Sequence, residues 1–257
     1  MVVTQGWLTY RHPEFRLASP AEAIMKLAKP RIDIGFATND APAALAFWQN
    51  EIGLPFEYTQ PIRRGYKQHR HDLCGSILKI NQVYEPLPDN PPSGYLELLI
   101  ARDGIAAPQT MTDPDGNRVS LVPKGLFGIE RIGIRLGVRD IEAHRRFYRE
   151  ALGLQQGQYA GAMTFLAGDT VLIVEQAADA PGDAAFDGKG WRYITFQVFE
   201  VDREHAYVLA HGGREARAPV TLGTTARISM VRDPDGNWIE LSQRASLTGS
   251  LEPPSAA

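Results

Sequence analysis

The chain has 257 residues, 44% of them hydrophobic and 22% charged, with a formal net charge of −3. That size allows one large or two small domains; the charge balance offers no basic surface for nucleic acid, and no stretch approaches the ~18 apolar residues of a membrane span. A single cysteine, Cys74, excludes an intrachain disulfide and a thiolate cluster and reads as a small packed residue, with a cytoplasmic location as the default.

Residues 1–28 read as an N-terminal extension without the charged-then-apolar pattern of a secretory signal, carrying a short amphipathic piece, SPAEAIMKLAKP. RIDIGFAT (31–38) alternates Ile32, Ile34 and Phe36 with Asp33 and Gly35, the period of a strand. DAPAALAFWQNEIGL then opens on Asp40, repeats apolar residues at helical spacing and closes on Gly53. KQHRHDL (67–73) is a strand whose His69 and His71 share a face, and GSILKIN, containing Lys79, is the next. YEPLPDNPPSG (84–94) is a Pro-rich loop, and GYLELLIARDG a strand followed by too little chain for a helix. DPDGNRVSL (113–121) is a turn and a strand: Pro suits the second turn position and Gly supplies a positive φ.

The order then restarts. RIGIRLGV (131–138) is a strand, DIEAHRRFYREALGL a helix, and DTVLIVEQ a strand. WRYITFQVFEVD and DREHAYVLAHGG form a second strand and helix, followed by strands around 227–232 and 237–242. DPDGNWIEL (233–241) repeats the earlier turn with Glu240 where the first copy has Ser120. Overlaid, Asp40 meets Asp140, Phe47 meets Phe147, Trp48 meets Tyr148 and Gly53 meets Gly153. Residues 246–257 are small, polar and Pro-containing and read as a flexible tail.

The FYREALGL unit at 131–154, its partner at 31–54 and the two DPDGN hairpins resemble the vicinal oxygen chelate superfamily, which includes glyoxalase I, extradiol ring-cleaving dioxygenases and bleomycin-binding proteins. The resemblance spans roughly residues 30–245. It implies an α+β fold of paired βαβββ modules forming two glyoxalase-like domains, 29–125 (second module abbreviated) and 126–245, whose curled mixed sheets surround a cavity. Whether modules pair within or across the copies is open at this level. In metal-using members the first and last strands of the modules supply His, His and Glu. At those positions the second copy has Gly133, Tyr193, Ile173 and Glu240, and the first has Asp33, Lys79, Glu97 or its neighbour Leu96, and Ser120. The usual ligand set is therefore incomplete. A divalent ion (iron, manganese, zinc or nickel) and no cofactor at all both stay open.

Asp33, His69, His71 and Lys79 are the catalytic candidates, with Glu97 beside them. Three readings of this group stand together: acid–base work, with Asp33 or a histidine as base and Lys79 stabilising negative charge; a non-standard metal site; and a structural Asp33–Lys79 ion pair. Tyr95, Glu97, Arg135, Tyr193, Trp238 and Glu240 are candidates for contact with a ligand. His144, His205 and His211 fall on helices and read as solvated or capping residues. The expected function is an enzyme of small-molecule catabolism, of lyase or isomerase type, acting on an aromatic or oxygen-rich metabolite. The alternatives are a non-catalytic binding or resistance protein and an extradiol-type dioxygenase with unusual ligands. The expected partner is a small molecule, not nucleic acid or a membrane, and the resemblance is compatible with homo-oligomers.

Overall fold

The computed structural model describes residues 25–159 and 161–251. Most of the expected N-terminal extension (1–24) and residues 252–257 of the expected tail lie outside the described residues. Among the described residues, four modules follow one another. The first holds β1 (Leu27–Thr38), α1 (Ala41–Ala46), β2 (Phe56–Arg63), β3 (Tyr66–Leu73) and β4 (Ser76–Val83). The second holds only β5 (Tyr95–Arg102), β6 (Gln109–Thr112) and β7 (Arg118–Pro123). The third holds β8 (Ile132–Val138), α2 (Ile141–Arg146), β9 (Gln155–Tyr159), β10 (Ala162–Ala167) and β11 (Thr170–Gln176). The fourth holds β12 (Trp191–Val198), α3 (Val201–Ala210), β13 (Arg214–Leu222), β14 (Ala226–Arg232) and β15 (Trp238–Arg244). A one-turn helix, α4 (Ala245–Thr248), occupies the start of the stretch expected to be a flexible tail.

Local chemistry explains the repeated strand–helix unit. Asp40 and Asp140 cap α1 and α2: Asp40 accepts from the Ala43 N–H, and Asp140 from those of Glu142 and Ala143. Both helices finish in a π turn, Phe47–Glu51 and Phe147–Ala151, and reverse at Gly53 and Gly153, whose φ values are +76° and +62°. The π turns bring Phe47 and Trp48, and Phe147 and Tyr148, into the core. Both helices are therefore shorter as regular α-helix than their sequence periodicity suggests.

Strand order answers the pairing question: modules join across the copies. One eight-stranded sheet runs β13-β14-β15-β12-β1-β4-β3-β2, and a seven-stranded sheet runs β6-β7-β5-β8-β11-β10-β9. The first module thus pairs with the fourth through antiparallel β1 and β12, Ile34 opposite Ile194. The second pairs with the third through β5 and β8, Leu98 opposite Ile134. Neither sheet is confined to 29–125 or to 126–245. A single core cluster unites Ile32, Ile34 and Phe36 of the larger sheet, Leu98, Ile134 and Phe165 of the smaller one, and the helix residues Trp48 and Tyr148.

The repeated DPDGN turn fastens this core. Asp113 Oδ1 accepts from the backbone N–H groups of Asp115 and Asn117, and its Oδ2 from Asn117 Nδ2 and Trp48 Nε1. Asp233 does the same with Asp235, Asn237 and the Tyr148 hydroxyl. Each turn therefore ties the end of one module to an aromatic residue on another module's helix. It also explains why Trp48 and Tyr148 occupy matching positions: each carries a polar hydrogen on an otherwise apolar body. Asp233→Ala would leave several buried donors unanswered at once, so a loss of about 2–4 kcal/mol in urea unfolding is expected. Asp233→Asn, which keeps one acceptor oxygen, should lose clearly less; equal losses would remove the hydrogen-bonding account.

Candidate functional site

Pairing of the first and fourth modules curls the larger sheet around a cavity of about 1040 Å³. Register decides what faces it. Lys79 lies opposite Gly35, Gly35 opposite Tyr193, Tyr193 opposite Trp238, and Thr195 opposite Glu240. Four central strands thus deliver side chains to one face. Lys79, only 3% exposed, is at its centre. Its ammonium donates to Thr195 Oγ1 at 2.7 Å and to the two Glu240 oxygens at 3.3 and 3.2 Å, and lies 5.4 Å from the centre of the Tyr193 ring. Asn81 Nδ2, two residues along β4, approaches the Tyr193 hydroxyl at 3.1 Å. The Tyr193 ring crosses Gly35 so closely that a Cβ there would sit 2.4 Å from it, which explains why that strand position carries glycine. Trp238, Phe186 and Tyr193 form an aromatic wall, with Phe186 edge-on to Trp238 at 5.1 Å.

Burial pushes the Lys79 ammonium below its ordinary pKa; the carboxylates of Glu240 and Asp33 oppose that shift, and Arg70 adds to it. The group can therefore give up a proton more readily than a surface lysine.

Lys79, a catalytic candidate of the first copy, shares this cavity with Tyr193, Trp238 and Glu240 of the second; the other candidates lie elsewhere. Asp33 shares the face of Lys79, but it is fully buried and accepts from Lys29 Nζ, the Ile77 N–H and Gln197 Nε2. Burial works to raise its pKa, yet the Lys29 and Lys79 charges and the hydrogen bonds from Lys29 and Gln197 hold it below the usual carboxylate value. It is a structural anion, poorly suited to accept a proton. His69 and His71 lie on the opposite face of β3, because Gln68 and Arg70, not the histidines, alternate toward the cavity. His69 bonds Thr59 and Gln82, and His71 Nε2 lies 3.0 Å from the Gln49 amide nitrogen. A one-residue difference in strand facing reverses every side chain.

Tyr95 is in the core, donating to the Trp238 carbonyl. Glu97 and Arg135 belong to the smaller sheet and pair with each other at 3.1 Å, with Ser120 donating to the same carboxylate. That arrangement explains the Ser120 and Glu240 exchange: in the smaller sheet the carboxylate comes from a module's first strand and the hydroxyl from its last, the reverse of Thr195 and Glu240. The corresponding face of the smaller sheet is filled by its own chain. Ile129 packs on Leu99, Val122 and Ile173, with Leu126 and Phe127 beside it, and a Cβ on Gly133 would lie 2.5 Å from Ile129. His144 and His205, expected to be solvated or capping residues, are buried, His144 against Asp233 and His205 against Glu215.

Residues that sequence reasoning missed are Thr195, Asn81 and Phe186. The first two could have been read from alternation, two residues from Tyr193 and Lys79, had the partner module been known. Phe186 lies in an irregular loop with no periodic signal.

A model of the Glyoxalase/Bleomycin resistance protein/Dioxygenase superfamily matches residues 128–241. The chain resembles that superfamily most directly over its third and fourth modules. Its fold is similar to that of glyoxalase I from Zea mays, with a TM-score of 0.66, 16% identity, and coverage of 85% of this chain and 92% of the other. A mutant form of that enzyme gives 0.68 at 16% identity, covering 88% and 96%. A candidate dioxygenase from Bacillus subtilis subsp. subtilis str. 168 gives 0.64 at 13% identity, covering 91% and 93%. At these identities the likeness is one of fold. Among curated proteins none matches the sequence. The family-model match supports a small-molecule enzyme or binder in the broad sense.

The metal-using members of this superfamily make a divalent ion the first cofactor to test, and the donor set does not fit one. Among the described residues no group of three or more His, Cys, Asp or Glu is arranged to hold a metal. At the centre of the cavity floor one carboxylate and one hydroxyl converge on an ammonium that already supplies the positive charge. Among the described residues no helix is long and apolar enough to cross a membrane.

Two outcomes follow. Lys79→Met leaves Glu240 without its cation, so a loss of about 3 kcal/mol in urea unfolding at pH 7 is expected. Adding Glu240→Gln should recover part of it, and a strictly additive double variant would mean the pair is not coupled. For His71, burial and then the neighbouring His69 lower the pKa to about 4, so the unfolded chain takes up a proton first. Stability tied to His71 is complete above about pH 6.5 and declines as the pH falls toward about 4. His71→Gln should flatten the fall of Tm across that window; an unchanged slope would place the acid sensitivity elsewhere.

Proposed function

We propose that the protein is a metal-independent proton-transfer enzyme, of lyase or isomerase type, acting on a small oxygen-rich or aromatic metabolite in the cavity between the first and fourth modules. The observation carrying this reading is the Lys79–Glu240–Thr195 group at the floor of that cavity. Glu240 replaces Asp33 and the histidines as the base. Its side chain, 12% exposed, lines the cavity, and the carboxylate takes a proton from the carbon beside a substrate carbonyl. The Lys79 ammonium bonds to the carbonyl oxygen and stabilises the enolate that forms. Thr195, bonded to both, holds the pair in place. Return of the proton from Glu240 to a neighbouring carbon gives an isomer; departure of a group from the adjacent carbon, protonated on leaving, gives an elimination. A low-dielectric site, with Tyr193 and Trp238 excluding water from one side, strengthens each charge interaction.

A second reading, a binding protein without chemistry, is favoured by the aromatic wall of Trp238, Phe186 and Tyr193, which grips a planar ligand without any reaction. One experiment separates the two. The purified protein is exposed to a metabolite extract, the retained compound is identified by native mass spectrometry, and its uptake of solvent deuterium is followed. Wild type should label the compound or convert it, and Glu240→Gln should be slower by at least about 100-fold. Retention without labelling by either protein would leave binding alone, and equal rates would dismiss Glu240 as the base.

A further inference from the structure

The outer part of the same cavity differs in charge from its floor. Five cationic side chains line the cavity, Arg63, Lys79, Arg217, Arg232 and Arg244, against two anionic ones, Asp187 and Glu240. The whole chain, by contrast, carries a net charge of −3. At the floor Lys79 and Glu240 answer each other. Nearer the mouth the balance is unmet: among the described residues Arg63, Arg217 and Arg244 have no carboxylate within ion-pair distance, and Arg232 reaches Asp183 only at 3.7 Å. The Arg232 guanidinium stacks over the Trp238 ring at 4.3 Å, and among the described residues its Nε has no hydrogen-bond partner. Uncompensated positive charge gathered around a concavity attracts and orients an anion, and guanidinium groups match a carboxylate as a fork.

The apolar surface is placed to receive the rest of such a molecule. Trp238, Phe186 and Tyr193 form the inner wall, while Ile62 and Leu222, 43% and 44% exposed, flank the arginines at the mouth. Arg63 and Ile62 come from β2, and Arg217 and Leu222 from β13. These are the two edge strands of the curled sheet, so cationic and apolar side chains flank the opening from both sides.

We propose that the cavity selects an aromatic carboxylate: the ring lies against Trp238, Phe186 and Tyr193, and the carboxylate points outward to the guanidinium groups of Arg63 and Arg217. This rests on the reading that the cavity is the ligand site, and it adds the chemical class and the orientation of the ligand. The orientation leaves the end of the ring system opposite the carboxylate facing Lys79 and Glu240, where proton transfer is placed. Electroneutrality argues for the same direction, because an anion at the floor would have to compete with Glu240 for Lys79.

The test is isothermal titration calorimetry of the full chain with 2-naphthoate and with its neutral isostere 2-naphthamide, at two salt concentrations. Naphthoate is expected to bind about fivefold to tenfold more tightly than the amide at low salt, with the advantage shrinking as salt is added. In an Arg63→Gln/Arg217→Gln variant of unchanged Tm the two ligands should bind equally, with the amide unaffected. Equal binding of both ligands to wild type overturns the charge selection while leaving the cavity as a binding site. A naphthoate preference that survives in the double variant overturns the outward orientation. Binding of neither ligand overturns this proposal together with the ligand site it rests on. Lys79 and Glu240 are intact in every sample, so the outcome is independent of whether they perform chemistry.

Discussion

The antiparallel ladder between β1 and β12 is the constraint on which the rest depends. It joins segments about 160 residues apart, Asp33 opposite Thr195 and Ile34 opposite Ile194. The parallel neighbours β4 and β15 lie on either side of this pair, so Lys79 and Glu240, 161 positions apart in sequence, meet across it. Closing so long a loop costs entropy, but the cost grows only slowly with length. It is offset by residues such as Ile32, Phe36, Phe196 and Val198, which the same strands bury completely. Without this seam there is no cavity floor, only two half-sheets, with Lys79 on one and Glu240 on the other.

Much of the fold was legible in the sequence because it is local. Alternation of Ile32, Ile34 and Phe36, capping by Asp40 and Asp140, and the DPDGN turns are short-range chemistry that repeats. The abbreviated second module was visible as missing length. The candidate site was legible only in part. Lys79, Tyr193, Trp238 and Glu240 were picked out by their strand positions, but their common location depends on which module pairs with which, and no local signal encodes that. His69 and His71 show the second limit. Their mutual spacing was read correctly, yet the face they occupy is fixed by where β3 sits against β4, a register that the spacing of two like residues leaves undetermined.

The two sheets share one plan and divide its uses. In the larger sheet the curled face stays open and carries a charged pair near an aromatic wall. In the smaller one Ile129, Leu126 and Phe127 fill the equivalent space, and the carboxylate of Glu97 is committed to Arg135 and Ser120. The filled face adds apolar burial and a buried ion pair, and the open face keeps the polar groups whose interactions a ligand can complete. Gly133 and Gly35 mark the two solutions, two residues apart when the first strands of their modules are overlaid: one makes room for an isoleucine from the connecting segment, the other for the tyrosine of the partner strand.

The nested strand order also bears on how the chain is made. The smaller sheet is drawn from residues 95–176, an uninterrupted stretch, whereas the larger one needs both ends of the chain. During vectorial synthesis the inner sheet has all its strands once β11 has emerged. The first module must then wait, with one edge of β1 unpaired, until β12 is released. For that interval Asp33, Lys79 and the apolar face of β1 lack their partners in the fourth module, and an exposed strand edge of this kind is open to pairing with another chain. The compactness of the finished cavity thus comes with a period of exposure during biogenesis, set by the time needed to synthesise the third and fourth modules.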